Sequence, residues 1–395
     1  MVNKIAGFRL MQNAEEANEI QPDQYGSRKQ HKSICALLNK IIINDIFRQR
    51  RISGAFGIND AKGCYDRINH TFCILTLMSF GLLWDHARLL MEALQLSEHR
   101  IRTGYGVSEP AYGTEEDDPL MGLGQGNGIG PCGWTLISSQ MIKTMKKLGF
   151  AATFRSALAA TLITIASFAY VDDCDTPHIA PNVDTKGEEI VDSFQAQLDC
   201  WSKLLVATGG ELDPRKSNCY LIDFKWTGNK WVYQTMEVME GEFTLLDKEE
   251  NRVPLKRLEV SEATETLGVF ISMDGNHSAQ KEELKKKAKS FAEKLRTRKC
   301  EPNTAIYTYN NCFLKSMQYC MSATNFSKEE WASIIFPAKK IAMQKSGMCS
   351  TMPSSVIYGS TDYNCFYLEE PYNKQGIEKS QPIFKKSQII PRQGE

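Results

Sequence analysis

The reading turns on FAYVDDCD, residues 168–175. An uncharged run, ALAATLITIASFAYV at 157–171, delivers the chain directly onto Asp172 and Asp173. That run is shorter than the roughly 18–20 residues a membrane span needs, and the acid pair would be costly in lipid. It reads as a buried strand, or as a helix followed by a strand. Adjacent carboxylates after a buried strand repel one another and resist desolvation, so they need compensation. A divalent metal is the usual source. Mg²⁺ takes one or two carboxylates and completes its shell with substrate phosphates. For an isolated Asp-Asp the plainer alternative is an exposed turn tipped by acids.

A third acid belongs with this pair. Asp60 closes the short apolar strand AFGIND, 55–60. Two strands meeting edge to edge would bring Asp60 beside Asp172 and hold two ions about 3.5–4 Å apart, the spacing for in-line phosphoryl transfer. Between these acids lies the glycine-rich GLGQGNGIGPCG, 122–133, which runs into a helix stopped by Gly149. Gly128, Gly130 and Gly133 spell G-x-G-x-x-G, yet Pro131 interrupts the run and no strand precedes it. No acid lies between Asp118 and Asp172 to hold a ribose, so a dinucleotide site is rejected.

Around this centre the periodicity predicts helices over 1–20 and 34–50, separated by a polar, basic loop at 23–33. It predicts one helix running through the seventies into the nineties, an acidic loop at 111–118, and a helix over 188–208. CYLIDFKW and WVYQ, within 219–234, flank Gly228-Asn229 and read as a hairpin. A strand is expected at 266–272 and a charged helix from 278, followed by further helices to about 347. The last 25 or so residues, rich in Gln, Lys, Pro and Ser, read as poorly ordered. The order of elements gives an α+β core domain followed by a helical one.

Composition excludes several classes. Of 395 residues, 42% are hydrophobic and 24% charged, which rules out fibrous, collagen-like and wholly disordered chains. None of the twelve cysteines has the short C-x-x-C-type spacing of a zinc site. Free thiols in a reducing, intracellular compartment, cytoplasmic or nuclear, are expected.

Six segments, in the family's order, resemble the motifs of reverse transcriptases of the non-LTR retrotransposon type. NDAKGCYD (59–66) resembles the first palm motif, GLGQGNGIGP (122–131) the second and AYVDD (169–173) the third. GGELDPRKSN (209–218) resembles the fourth, TLGVFIS (266–272) the primer grip, and QYGSRKQHKS (24–33) the template-facing fingers motif. The resemblance implies a right-hand polymerase: partial fingers over 1–56, a palm with interleaved fingers helices over 57–275, a helical thumb over 276–350, and a C-terminal extension, 351–395, with a disordered tail. It implies an RNA-directed DNA polymerase, a nucleotidyltransferase using two Mg²⁺ ions, with Mn²⁺ as a substitute. The partners would be an RNA template, a DNA primer and dNTPs. Asp60, Asp172 and Asp173 would hold the metals, with Ala61 offering a backbone carbonyl. Tyr65 would be the sugar gate, and Gln125 and Gly126 would face the incoming nucleotide. Lys216 would assist pyrophosphate departure. Gln24 and Arg28 would touch the template, and Leu267 and Gly268 would support the primer end.

The pattern also departs from that family. The basic strands that normally open the fingers would lie before residue 1, and no endonuclease, RNase H or zinc knuckle is evident. A nucleic-acid-binding protein of polymerase fold, a catalytically impaired retroelement remnant, therefore stands as the alternative. An enzyme extending ends without a template is a third reading. The net charge of zero, 47 bases against 47 acids, does not decide between them, because it hides a partition. Residues 26–51 carry +6, 119–171 carry +4 and 281–345 carry +8, against −4 at 111–118, −5 at 177–213 and −5 at 236–265. Screening limits charge to a reach of about 8–10 Å, so local excess governs phosphate binding. One basic cleft is the expectation.

Overall fold

The computed structural model describes residues 2–111, 121–155, 161–247, 249–359 and 367–387. The chain divides into two compact units, Met1–Val260 and Ser261–Glu395. Its fold is mixed, with helices and sheets in one chain. Among the described residues no helix is long and apolar enough to cross a membrane.

The first unit is built on a six-stranded sheet. Its spatial order is Phe243–Leu246, Arg252–Leu258, Asn218–Ile222, Gly54–Asp60, Asp173–Ile179 and Phe168–Tyr170. All neighbours are antiparallel except Arg252–Leu258 beside Asn218–Ile222, which run parallel. The strand Gly54–Asp60 is buried through its first four residues, as a strand covered on both faces must be. On one face, Phe47 of the helix Ser33–Arg50 packs against Phe56 at 5.5 Å between ring centroids. The helix Val191–Ala207 covers the other, with Leu198 beside Gly57 and Phe194 edge-on to Phe243 at 5.0 Å. The helix Gly130–Lys147 carries Pro131 in its first turn, where its fixed φ and missing N–H are tolerated. It is buried at Trp134, Leu136, Ile137, Met141, Ile142 and Met145.

Several sequence expectations shift. The single helix of the seventies to nineties is two, His70–Ser79 and Trp84–Gln95, because the chain turns at Gly81 with φ +90°. The apolar run is not one buried strand: Leu162–Ile165 is largely exposed and pairs antiparallel with Ala152–Arg155, whose Ala152 and Phe154 are buried, and only Phe168–Tyr170 enters the core sheet. The hairpin within 219–234 forms, with Phe224–Trp226 against Trp231–Tyr233. Beyond Ala111, the acidic loop lies outside the described residues.

The second unit opens with the short hairpin Thr264–Thr266 and Val269–Ile271. Leu267 and Gly268, expected inside a strand, form its turn with φ +48° and +81°. The helix Ser278–Thr297 buries Leu284, Ala288, Ala292 and Leu295, a helical stripe, and leaves its lysines outward. It packs against Lys328–Lys345, whose start is fixed by a capping box between Ser327 and Glu330. The expected disordered tail contains a helix, Pro371–Ser387. Polar composition concealed its anchor: Gln375 is buried, donates to Phe326 O at 3.1 Å, and accepts the Trp331 indole N–H at 3.0 Å.

Candidate active site

Asp60 and Asp173 are the last register pair of their two strands. The hairpin strand then turns through two residues, Val171 and Asp172, because Tyr170 pairs with Asp173. The three carboxylates of Asp60, Asp172 and Asp173 therefore gather at one end of the sheet. Sequence reasoning paired Asp60 with Asp172. The backbone register puts Asp173 opposite Asp60, with Asp172 next to it in the turn and its charge felt at Asp60.

The turn is strained and held. Val171 sits at φ +60°, a left-handed conformation that a β-branched residue rarely adopts. The Trp134 indole N–H donates to the Val171 carbonyl, fixing it from below. Gly26 packs on the other side, where a Cβ would lie 2.5 Å from the Val171 nitrogen. Strain of this kind persists only where surroundings over-determine it, and it gathers at functional sites.

The segment 209–218 clamps the end of the central strand. Asp213 N–H donates to Asp60 O at 2.9 Å, Asp60 N–H to Ser217 Oγ at 3.1 Å, and Lys62 N–H to Glu211 O at 2.8 Å. Ala61 bridges Leu212. This loop carries Lys216 to within 3.8 Å of Asp60 Oδ1. The Asp60 carboxyl is raised above its ordinary range by burial and by Asp172 and Asp213, against the lowering pull of Lys216. Asp173 is pushed up to about 6, by burial first and then by Asp175, Asp172 and Asp60.

The glycine-rich segment closes on the same end. Gly122, at φ +76°, lies where a Cβ would be 2.4 Å from the Asp66 carbonyl carbon, so only glycine fits. Leu123 N–H donates to Tyr65 O at 2.6 Å, and Gln125 N–H to Asp66 Oδ1 at 3.2 Å. The Tyr65 ring packs beside Gly130. Its hydroxyl is pushed up to about 12 by burial, then by Cys64 and Asp172, so it stays neutral and near the acids. Gly126 has open space where a side chain would be.

Gln24 and Arg28 are spent inside the protein. Gln24 is fully buried; it donates to Ser138 Oγ at 2.5 Å and accepts Gly26 N–H at 2.7 Å. Its backbone makes a parallel bridge to Ala169, flanked by Tyr25 N–H to Ala169 O at 2.8 Å and Ala169 N–H to Asp23 O at 3.1 Å. Arg28 clasps Glu15 with bonds of 2.6 and 2.7 Å and donates to the Gln21 and Gln24 carbonyls. Both residues brace the segment that lies along the carboxylate hairpin. Leu267 and Gly268 belong to the second unit.

Among the described residues no three acidic, imidazole or thiol groups converge into a ready-made metal cage. The donor set still suits a hard cation. Three carboxylates share one strand end with a single lysine 3.8 Å from one of them, and two have raised proton affinity. Mg²⁺ is commonly held this way, by few carboxylates with water and substrate phosphates filling the shell.

The sequence matches no family model and no curated protein. Solved structures similar to this chain include telomerase from Candida albicans in complex with a TWJ fragment of telomeric RNA, at TM-score 0.36 and 10% identity. That alignment covers 98% of this chain and 56% of the telomerase chain. Apo telomerase from Candida tropicalis aligns at TM-score 0.37 and 11% identity, over 87% of this chain and 53% of its own. The chain thus spans about half the length of the solved structures it matches.

Sequence reasoning missed the supports of this site. Lys40 Nζ pairs with Asp175 Oδ2 at 2.7 Å inside the protein. A lysine in the middle of an apolar helical stripe, Leu37-Leu38-Asn39-Lys40-Ile41, was the available signal. Trp134 and Ser138 carried none, since both read as ordinary core positions.

Proposed function

We propose that this chain is a template-directed nucleotidyltransferase, an RNA-directed DNA polymerase of the non-LTR retrotransposon type. The observation that carries the reading is the register of Asp60 with Asp173, which gathers three carboxylates beside Tyr65 and Lys216. The motif order of the sequence supports the same reading independently.

Asp60, Asp172 and Asp173 would hold two Mg²⁺ ions, with Mn²⁺ as a substitute, and the Ala61 carbonyl would complete a shell. When bound, such ions lower the pKa of an attacking hydroxyl and neutralise charge on a leaving pyrophosphate. The chain's own residues do the rest. The neutral Tyr65 ring lies under the sugar of an incoming dNTP and leaves no room for a 2′-hydroxyl. Gln125 and Gly126 offer backbone against the nucleotide, with open space at Gly126. Lys216 stabilises charge on the departing pyrophosphate and donates a proton to it. Gln24 and Arg28 act through the hairpin they brace. Leu267 and Gly268 support the primer end.

The test is primer extension on an RNA template with dNTPs and Mg²⁺ or Mn²⁺, against the variant Asp172→Asn/Asp173→Asn. Template-dependent product that the variant loses supports the proposal. Tight primer–template binding without product in either metal replaces it with a binding protein of polymerase fold. Product indifferent to template sequence replaces it with an end-extending enzyme.

A further inference from the structure

The hairpin Phe224–Trp226 and Trp231–Tyr233 has no part in the carboxylate site. Its register pairs Trp226 with Trp231 and Phe224 with Tyr233, so the four rings share one face. The inner pair is covered. Phe224 is buried, its ring lies 4.8 Å from that of Tyr233, and the Arg51 guanidinium sits 5.4 Å over it. The outer pair is open: the two indoles are 5.6 Å apart, and Trp226 and Trp231 are 55% and 46% exposed.

Along the hairpin's own chain the charge has one sign. Lys225 and Lys230 are exposed, and no acid occurs between Asp223 and Glu237. Asp223 itself is buried and turned inward, accepting from Ser53 Oγ, Gly187 N–H, Phe224 N–H and Gln234 Nε2. Arg51, just after the helix Ser33–Arg50, adds positive charge at the hairpin base. Half-open aromatic rings with Lys230 in the adjoining turn and Arg51 at the base, Lys225 lying on the opposite face of the strand, match a polyanion that carries flat, stackable groups. The rings stack on bases while the cations meet phosphates.

We propose that the tip of this hairpin is a stacking platform for single-stranded nucleic acid. It is remote from the carboxylates. Asn218 lies opposite Ile58 and Ile222 opposite Gly54, so the chain leaves the sheet for the hairpin at the end away from Asp60. From Asn218 to Phe224 the rise is about 20 Å at about 3.3 Å per residue, a span of about six stacked nucleotides at about 3.4 Å each. The platform therefore grips a strand well away from the reacting end.

The test is fluorescence anisotropy of the full chain with labelled oligo(dT) and oligo(U), without divalent metal, so that a polymerase-inactive chain still answers. Trp226→Ala/Trp231→Ala is expected to weaken binding of both strands about tenfold or more, since base–aromatic stacking carries much of such binding. Trp226→Phe/Trp231→Phe is expected to keep most of the affinity, and duplex binding to be the same in all three proteins. Unchanged affinity in the alanine variant overturns the proposal. So does an equal loss on duplex, or full affinity in Trp226→Leu/Trp231→Leu, which keeps apolar area without a ring face. A change in the protein's own sedimentation with strand affinity intact makes the face a contact between copies of the chain, and also overturns it.

Discussion

Lys40 and Asp175 form a 2.7 Å ion pair whose side chains are only 1% and 6% exposed. The pair ties the helix Ser33–Arg50 to the strand that carries Asp173. Removing one partner of a buried pair strands the other's charge, at a cost of about 3–5 kcal/mol, whereas replacing both by apolar groups is often neutral. Lys40→Met is therefore expected to lose about 3–5 kcal/mol of stability in urea denaturation, and Lys40→Met/Asp175→Leu to regain most of it. A single variant as stable as the wild type would contradict the pairing.

Asp173 gives a stability signature with a defined sign. Its folded-state pKa, about 6, lies above the unfolded value of 3.8, so the folded protein holds its proton longer. This group's contribution is present below about pH 4 and is lost as pH rises through about 6. In metal-free buffer, Asp173→Asn is expected to gain stability relative to wild type between pH 4 and 7, with little difference at the acid end. Melting curves across that range check it; a gap that narrows toward pH 7 reverses the sign and removes the argument.

Tyr65 carries the sugar discrimination of the proposed polymerase. Tyr65→Ala is expected to incorporate ribonucleotides at least about tenfold more readily relative to deoxynucleotides, a difference of about 1.4 kcal/mol. Competition between the two nucleotide types on one primer measures it. Unchanged selectivity would take the gate away from Tyr65.

Gly26 has no room for a methyl group, since a Cβ would sit 2.5 Å from the Val171 nitrogen. Gly26→Ala must push back the turn that carries Asp172. Overpacking of this kind costs about 1–3 kcal/mol. Melting temperature and extension rate are expected to fall together. Wild-type behaviour in Gly26→Ala would show that the turn can move freely.

The sequence disclosed the chemistry better than its supports. FAYVDD and AFGIND announce strands ending in acids, and the glycines of 122–133 announce close backbone approach. Local patterns cannot report which acid faces which, because register is set across the sheet; hence Asp173, rather than Asp172, lies opposite Asp60. Charge arithmetic met the same limit. Of the seven bases in 26–51, Arg28, Lys40 and Arg48 are spent on Glu15, Asp175 and Asp45. Lys146 of the 119–171 stretch is spent on Asp23. Net charge along a segment counts such residues as available to phosphate, though the fold has already used them. The helix Pro371–Ser387 was hidden for a related reason: one buried glutamine, Gln375, anchors it, and composition cannot weigh a single residue.

The segment Asp23–Gly26 runs along the outermost strand of the sheet, Phe168–Tyr170, and takes up its free hydrogen bonds at Ala169. A bare strand edge invites pairing with a second chain. A shortened protein beginning after residue 27 would uncover an apolar strand, FAY, beside the carboxylate turn. The bare edge would favour self-association there, added to the loss of Leu10, Ala14 and Ile20 from the core. Residues 23–26 thus close an open sheet edge at the place where the candidate site is built.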